Sequence, residues 1–264
     1  MQHIKKTTKI KTDNFYSTNK YLSKHPSLHV EDTPWKFAQI KPFLGKFMKK
    51  YSEIYDSRKL TVLDVGGGAG LILKKTAQEI EKNYGIKVEK IALDLSPLAL
   101  EIQKKTNPDL KKTLNESICD TSLHPKEIDL TLMIDLLEHV PNPSLALREV
   151  KRISKFVIVK VPLEDNLLYD VWNVITGGKF RRKMLETWGH INIYKFNKLK
   201  HQIEMHAGKI LSFGYTNVFQ YAFAKARNKR RKALISIASY FYRISPTLCS
   251  IIFNDFVIIL IKCY

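Results

Sequence analysis

Apolar residues in the middle of the chain form short runs that alternate with stretches at helical spacing. Strands are predicted at 60–65, 88–93, 112–119, 129–134 and 156–161. Helices are predicted between them, at 71–84, 96–105 and 144–153, and Ser96 suits the cap of the second. Because strands and helices take turns in this way, we expect an α/β domain in which helices cover both faces of a parallel sheet.

The flanking segments follow other patterns. A mobile arm is predicted over residues 1 to about 28, and apolar spacing over 33–55 predicts a helix docked on the main domain. Beyond Pro162 an irregular stretch, a helix and two strands are predicted, at 163–190, 196–207, 209–215 and 256–261. The expected division is an N-terminal arm with cap helices over 1–56 and the α/β domain over 57–264, with insertions at about 163–190 and 220–253.

The chain is strongly basic. The chain has 44 Lys and Arg against 25 Asp and Glu, a formal net charge of +19. Such a balance favours anionic partners, including nucleic acid, acidic lipid headgroups and phosphorylated metabolites, although a lysine-rich proteome would give the same excess.

The segment 225–232 (KARNKRRK) is strongly basic and precedes an apolar stretch that Pro246 interrupts. One hypothesis is peripheral membrane contact through 225–250, with Leu234, Ile237, Phe241 and Ile244 entering the interface. The other is a lid helix packed beside the pocket, and the break at Pro246 favours it.

The cysteine pattern and the N-terminal residues bear on location. The three cysteines are odd in number and lack a CxxC pair, which indicates a reducing compartment and no structural zinc. The first residues lack the apolar run of a signal peptide, and no stretch is long and apolar enough for a membrane-spanning helix. We expect a cytoplasmic protein, with peripheral membrane contact as the alternative.

The strongest chemical signal is a glycine loop between the first strand and the first helix. Asp64 is followed by Gly66, Gly67, Gly68 and Gly70, and glycines let a backbone turn sharply and approach a ligand. The dinucleotide fingerprint fails because its third glycine position holds Leu71, and the lysine of a phosphate-loop NTPase is missing as well.

The pattern D-x-G-x-G-x-G resembles motif I of the class I S-adenosylmethionine-dependent methyltransferases. The segment 128–143 (IDLTLMIDLLEHVPNP) is similar to the fourth strand and following loop of that family, especially of small-molecule methyltransferases of the quinone-biosynthesis type. The resemblance implies a Rossmann-like three-layer sandwich with a mostly parallel seven-stranded sheet whose last strand is antiparallel. It also implies S-adenosyl-L-methionine as the cofactor.

The resemblance assigns roles to individual residues. Asp94 would accept the ribose hydroxyls, and Asp120 would lie near the adenine amino group. Trp35 would stack on a ligand, and Lys36 would meet the cofactor carboxylate. A helix-start acid and a capped helix remain the alternatives at Asp94 and Trp35. The full set expected to hold the cofactor is Asp64, Gly66, Gly67, Gly68, Gly70, Asp94, Leu95, Asp120, Asp135 and Lys36.

Methyl transfer needs an oriented nucleophile more than a strong catalyst, because the cofactor carries an activated methyl group. If the nucleophile is a hydroxyl, His139 and His190 are the candidate bases, although either can be structural. Glu138 with His139 would offer a divalent ion two ligands, as in some quinone-biosynthesis relatives, but two ligands do not make a site, so no metal is predicted.

Several functions stay open at this stage. The leading one is methyl transfer to a small-molecule, glycan or lipid-precursor acceptor. The alternatives are a membrane-surface lipid or quinone methyltransferase, a non-catalytic scaffold that keeps the cofactor fold, and an NAD-dependent oxidoreductase. Nucleic acid is not expected as the acceptor, because no RNA-binding module or stacking platform is present in the sequence.

Overall fold

The computed structural model describes residues 27, 28 and 30–264. The arm predicted at the N-terminus therefore lies almost wholly outside the described residues, as does His29. The strands are β1 (Lys59–Val65), β2 (Lys87–Leu93), β3 (Lys112–Leu114), β4 (Ile128–Ile134), β5 (Ser154–Leu163), β6 (Lys209–Tyr215) and β7 (Asp255–Lys262).

Ten α-helices connect or precede these strands in the described part of the chain. They are α1 (Thr33–Ser52), α2 (Leu71–Tyr84), α3 (Pro97–Thr106), α4 (Pro143–Ile153), α5 (Leu167–Ile175), α6 (Lys179–Trp188), α7 (Phe196–His206), α8 (Val218–Lys225), α9 (Lys229–Ile244) and α10 (Pro246–Ile252).

The seven strands form one sheet in the order β3-β2-β1-β4-β5-β7-β6. Neighbouring strands among β1 to β5 pair in parallel, and β7 runs antiparallel to both β5 and β6. This arrangement confirms the Rossmann-like sandwich with an antiparallel last strand. The strand order reverses between β1 and β4, and a crevice for a ligand forms at the carboxyl ends of strands at such a point.

Side chains of β5 show how the two faces of the sheet are covered. Val157, Val159 and Val161 belong to the apolar cluster shared with α4 and α7, and Phe156 and Ile158 belong to the cluster shared with α1 and α2. This alternation is the two-residue period of a strand buried on both faces. Lys160 continues the second series and is fully buried at the carboxyl end.

The structure corrects three predictions about elements. The strand predicted at 112–119 ends at Leu114, because the Asn115 side chain bonds to the carbonyls of Asp94 and Leu95 and the chain then turns. The stretch predicted as irregular at 163–190 contains α5 and α6, and α8 was not predicted. The predicted break at Pro246 is confirmed, since α9 ends at Ile244 and Ser245 caps α10.

No helix within the described part of the chain combines the length and the apolar character that crossing a bilayer requires.

Truncation of Phe47 is expected to destabilise the whole domain, because α1 is part of its core. Phe47 is fully buried, and its ring centroid lies 5.3 Å from that of Phe156 on β5. Phe47→Ala should lower the free energy of unfolding by about 3–5 kcal/mol, measured by urea denaturation. Lys49→Ala, an exposed change on the same helix, is the control, and an equal effect of the two would show that α1 is only an appendage.

Candidate active site

A cavity of about 520 Å³ opens at the carboxyl ends of β1, β2, β4 and β5. The start of α1, part of α5 and part of α8 contribute to its walls through Trp35, Tyr169 and Tyr221. Among described residues, seven with carboxyl groups and a single lysine, Lys36, line it. The seven acids are Asp32, Asp64, Asp94, Glu116, Asp135, Glu138 and Glu164.

The glycine loop forms one wall of this cavity. Gly66 and Gly68 have φ angles of 66° and 56°, a left-handed conformation that most other residues avoid. A Cβ added at Gly67 would lie 2.1 Å from Oδ2 of Asp64, so only a glycine fits over that carboxyl group. The Gly66 N–H donates to the Leu93 carbonyl at 2.8 Å, which ties the loop to the end of β2.

Two acids at the ends of β1 and β2 are hard to ionise. Burial, and next the charge of Asp94, raise the pKa of Asp64 to about 7, and Oδ2 of Asp64 has no hydrogen-bond partner among the described residues. Burial raises the pKa of Asp94 to about 6, although its Oδ1 accepts a hydrogen bond from the Ser96 N–H at 2.9 Å. A cationic ligand would relieve this penalty.

Asp135, at the end of β4, is held between two lysines. Its carboxylate contacts Nζ of Lys36 at 2.8 Å and pairs with Nζ of the buried Lys160. Burial opposes ionisation, but the two ammonium groups outweigh it and hold the pKa of Asp135 below its usual range. Lys160 also lies 3.5 Å from the ring centroid of Phe256 on β7. The pair therefore joins β4, β5, β7 and α1 beneath the cavity.

Two histidines and two glutamates meet at the opposite end. Nδ1 of His190 lies 2.7 Å from Oε2 of the buried Glu164, and Nδ1 of His139 lies 3.2 Å from the Gly189 carbonyl. The two imidazole centroids are 4.9 Å apart. Glu138 is buried, and burial followed by the charge of Asp135 raises its pKa well above the usual value, which favours a neutral carboxyl group.

The loop that carries His190 is fastened to the loop after β4. The backbone N–H groups of Ile191 and Asn192 donate to the Glu138 carbonyl at 2.9 and 3.0 Å. The Asn192 amide donates to the carbonyls of Leu137 and Val140 at 2.9 and 2.7 Å. These bonds bring the two predicted base candidates to one end of the cavity.

A family model described as a methyltransferase domain matches residues 63–155. This segment holds the glycine loop, Asp94 and the loop after β4. By this match the segment is a methyltransferase domain. The S-adenosylmethionine-dependent methyltransferases are also the family that the sequence motifs resemble.

Curated relatives of the methyltransferase domain include two enzymes named ubiquinone biosynthesis O-methyltransferase. The protein from Azoarcus sp. is 33% identical over 94 residues, which are 36% of this chain and 39% of that protein. The protein from Hydrogenovibrio crunogenus is 26% identical over 118 residues, 44% of this chain and 46% of that protein. The chain thus spans less than half the length of the curated relatives that it matches.

Solved structures show the same fold at much lower identity. The geranyl diphosphate C-methyltransferase from Streptomyces coelicolor A3(2), in complex with Mg²⁺, geranyl diphosphate and S-adenosyl-L-homocysteine, has a TM-score of 0.56 at 10% identity, covering 85% of this chain and 80% of its own. A geranyl diphosphate methyltransferase in complex with SAM has a TM-score of 0.58 at 11% identity, covering 94% and 91%.

Most residues predicted for the methyltransferase site line the cavity. They are Lys36, Asp64, Gly66, Gly67, Gly68, Asp94, Leu95, Asp135, His139 and His190. Gly70 does not line it; this glycine starts α2, and its carbonyl accepts from the Asn107 amide. Asp120 is exposed outside the cavity, because the chain turns after Ile118 and the Asp120 N–H donates to Ser117. Glu116, Ser117 and Ile118 line the cavity in its place.

Two other predictions for the methyltransferase site take a different form in the structure. Trp35 lines the cavity, but its ring stacks on Tyr221 at a centroid distance of 4.8 Å. No metal was predicted, because the sequence offered only two candidate ligands, Glu138 and His139. The structure adds a third, His190, and the ligand atoms of the three residues lie within 4.8 Å of one another. Oε2 of Glu138 has no hydrogen-bond partner among the described residues.

Lys160 and Glu164 were missed because their roles depend on distant partners. Lys160 interrupts an apolar strand, and a lysine in that position signals a buried anion nearby. Glu164 follows the end of the same strand, where ligand-facing groups collect. Both signals are present in the sequence, but neither identifies the residue with which Lys160 or Glu164 pairs.

Replacement of Asp94 should weaken cofactor binding. With one carboxylate acceptor lost, Asp94→Asn is expected to reduce the affinity for S-adenosylhomocysteine about 10- to 100-fold at pH 7.5, as removal of a charge-assisted hydrogen bond would. Isothermal titration calorimetry measures this change.

The affinity of the unaltered protein should fall as the pH drops through about 6, because protonation of Asp94 removes the acceptor and its pKa is raised to about 6. The Asn variant should lack this part of the pH dependence. A wild-type affinity that stays constant from pH 7.5 to 5 would contradict the ribose role of Asp94.

Proposed function

We propose that the protein transfers a methyl group from S-adenosyl-L-methionine to a small-molecule acceptor. The observation that carries the proposal is the acid-lined cavity beside a bare glycine loop in a matched methyltransferase domain. The cofactor has a sulfonium and an ammonium group against one carboxylate, so its net charge is positive. Seven carboxyl groups around one lysine suit such a ligand.

The residues present fit the cofactor in shape as well as in charge. A Cβ at Gly66 would come within 2.9 Å of Leu136, so side chains there would fill the cradle. Asp94 would hold the ribose hydroxyls, since a carboxylate only accepts hydrogen bonds. Glu116 and Ser117 would face the adenine in place of Asp120. Lys36 would meet the carboxylate, shared with Asp135.

The cofactor, when bound, supplies the activated methyl group. The work left to the chain is to place the acceptor in line with that group and to exclude water. The paired rings of Trp35 and Tyr221 close one side of the cavity, and Asp32 accepts from the Tyr221 hydroxyl and contacts Lys225 Nζ at 2.9 Å. These contacts join the start of α1 to α8 across the cavity wall.

His190 is the base that the geometry favours for a hydroxyl acceptor. With Nδ1 donating to Glu164, the neutral imidazole turns the lone pair of Nε2 away from that carboxylate, and His190 lines the cavity. Nε2 would take the proton that the acceptor oxygen loses as its bond to the methyl carbon forms. Glu164 acts here as a positioning residue, as the third group of a catalytic triad does.

The acceptor that suits this cavity is uncharged near the reacting atom. Glu164, which lines that end of the cavity, would repel the phosphates of nucleic acid and of phosphorylated metabolites. A hydroxyl on a small molecule, a glycan or a lipid precursor meets the requirement. The names of the curated relatives, which are O-methyltransferases, support oxygen as the nucleophile.

Two measurements test the proposed function. S-adenosylhomocysteine should bind one-to-one in a calorimetric titration, and the labelled methyl donor should modify an acceptor in fractionated extracts, lipids or RNA. No binding at high micromolar ligand would reject the proposal, and binding of a nicotinamide cofactor in its place would favour an oxidoreductase. Binding without any labelled product would favour a non-catalytic scaffold.

Removal of the Glu164 carboxylate should change the tautomer of His190. Glu164→Leu is expected to shift the ratio towards the Nε2–H form by about tenfold or more, because a charge-assisted bond of about 1.5–3 kcal/mol is lost. Nitrogen-15 chemical shifts of the imidazole report the ratio without any acceptor.

Glu186→Leu, which removes an exposed acid on α6, is the control. An unchanged tautomer in Glu164→Leu would contradict the positioning role. Shifts of both histidine signals on addition of MgCl₂ would mark the cluster as a cation site and overturn the base assignment.

A further inference from the structure

The exposed sides of three helices carry an unusual number of apolar residues. Val174 and Ile175 on α5 are 78% and 68% exposed, and Leu234 and Tyr240 on α9 are 65% and 64% exposed. The helices adjoin, since α10 packs against both α5 and α9. We call this surface the apolar face; its residues are Leu167, Leu168, Val171, Trp172, Val174, Ile175, Leu234, Ile237, Tyr240, Ile244, Leu248 and Ile251.

A lid over the cavity does not account for the apolar face. The cavity wall takes Val218 and Tyr221 from α8, but none of residues 226–253, all of which the structure describes, lines it. The inner side of α9 is already packed, because Ala238 is buried with Phe219 and Cys249. The outer residues Ile237, Tyr240 and Ile244 recur three or four apart, so they form one side of the helix.

The structure also corrects one predicted member of this surface. Phe241 was expected to enter a membrane interface, but it faces inward, and its ring centroid lies 5.8 Å from that of Phe253. Tyr240 is the exposed aromatic residue of α9 in its place. A tyrosine, which is apolar at its ring and polar at its tip, suits a membrane–water boundary.

The charge around α9 and α10 has a single sign, and the one acid of α5, Asp170, is paired with Arg181. Residues 218–253 contain seven Lys or Arg and no Asp or Glu. The cations at the start of α9 are exposed: Lys229, Arg230, Arg231 and Lys232. An amphipathic helix with apolar residues on one side and cations at its polar border binds anionic lipid surfaces.

We propose that the apolar face docks on a lipid bilayer with anionic headgroups, with Arg230 and Arg231 at the headgroup level. The proposal does not depend on methyl transfer. Of the three helices that it concerns, α9 and α10 lie outside the cavity wall and only α5 contributes to it. Through Tyr169, α5 belongs to both surfaces, so docking would bring the cavity close to the bilayer. A lipid-anchored acceptor would then reach the site from the membrane plane.

Flotation of the full chain with lipid vesicles tests the proposal. The protein should float with vesicles that contain phosphatidylglycerol and stay behind with phosphatidylcholine alone. Arg230→Glu with Arg231→Glu should lower the vesicle partition coefficient at least about tenfold, since each cation near an anionic surface contributes about 1 kcal/mol. The charge-matched control is Lys104→Glu with Lys105→Glu, two exposed lysines on α3.

A second pair of variants tests the apolar part. Leu234→Ser with Ile244→Ser should lose vesicle binding, whereas Met205→Ser with Tyr264→Ser, whose side chains are similarly exposed elsewhere, should keep it. Equal losses in test and control variants, or equal binding to neutral vesicles, would overturn the proposal. So would a dimer in analytical ultracentrifugation that the Leu234 and Ile244 changes dissociate, because a second copy would then occupy the face.

Discussion

Seven carboxyl groups share one desolvated cavity, and the site depends on how their mutual repulsion is relieved. The repulsion is relieved in a different way at different acids. Asp135 stays ionised between two lysines, one of them fully buried, while burial favours the protonated forms of Asp64 and Glu138. Glu164 pairs with His190. Loss of one partner of a buried ion pair costs about 3–5 kcal/mol, so the Asp135–Lys160 pair links the stability of the sheet to the shape of the site.

The strands of the sheet could be predicted from the sequence where both of their faces are buried. Strands β1, β2, β4, β5 and β7 are buried on both faces over most of their length, so they form short and largely apolar runs. The helix α5 buries none of its residues completely. Its sequence therefore shows no distinct buried side, and the segment was predicted as irregular. The edge strand β3 is shorter than predicted because a side-chain amide, that of Asn115, bonds to the carbonyls after β2 where the chain leaves the sheet.

The glycine loop and the acid at the next strand end could be predicted from the sequence. The side chains that pair with Asp135 and His190 could not. A cluster of glycines between a strand and a helix indicates close approach of a ligand, and an acid at the next strand end must face the same edge of a parallel sheet. The partners of Asp135 and His190 lie 25 and 26 residues away in sequence, and no spacing rule connects them. Asp120 illustrates another limit of spacing, since it lies outside the cavity in a turn whose geometry the sequence does not determine.

The outer surface and the cavity of this protein differ in the charge that they would attract. The net charge of +19 would draw any anion to the protein, yet the cavity holds one lysine among seven acids, and that lysine is paired with Asp135. Anions drawn by the long-range field would therefore meet surface cations such as those of α9 and not the reacting centre. Inside, the acids suit a cationic cofactor and a neutral nucleophile. A protein of this charge can thus approach an anionic surface while its cavity rejects the anions of that surface.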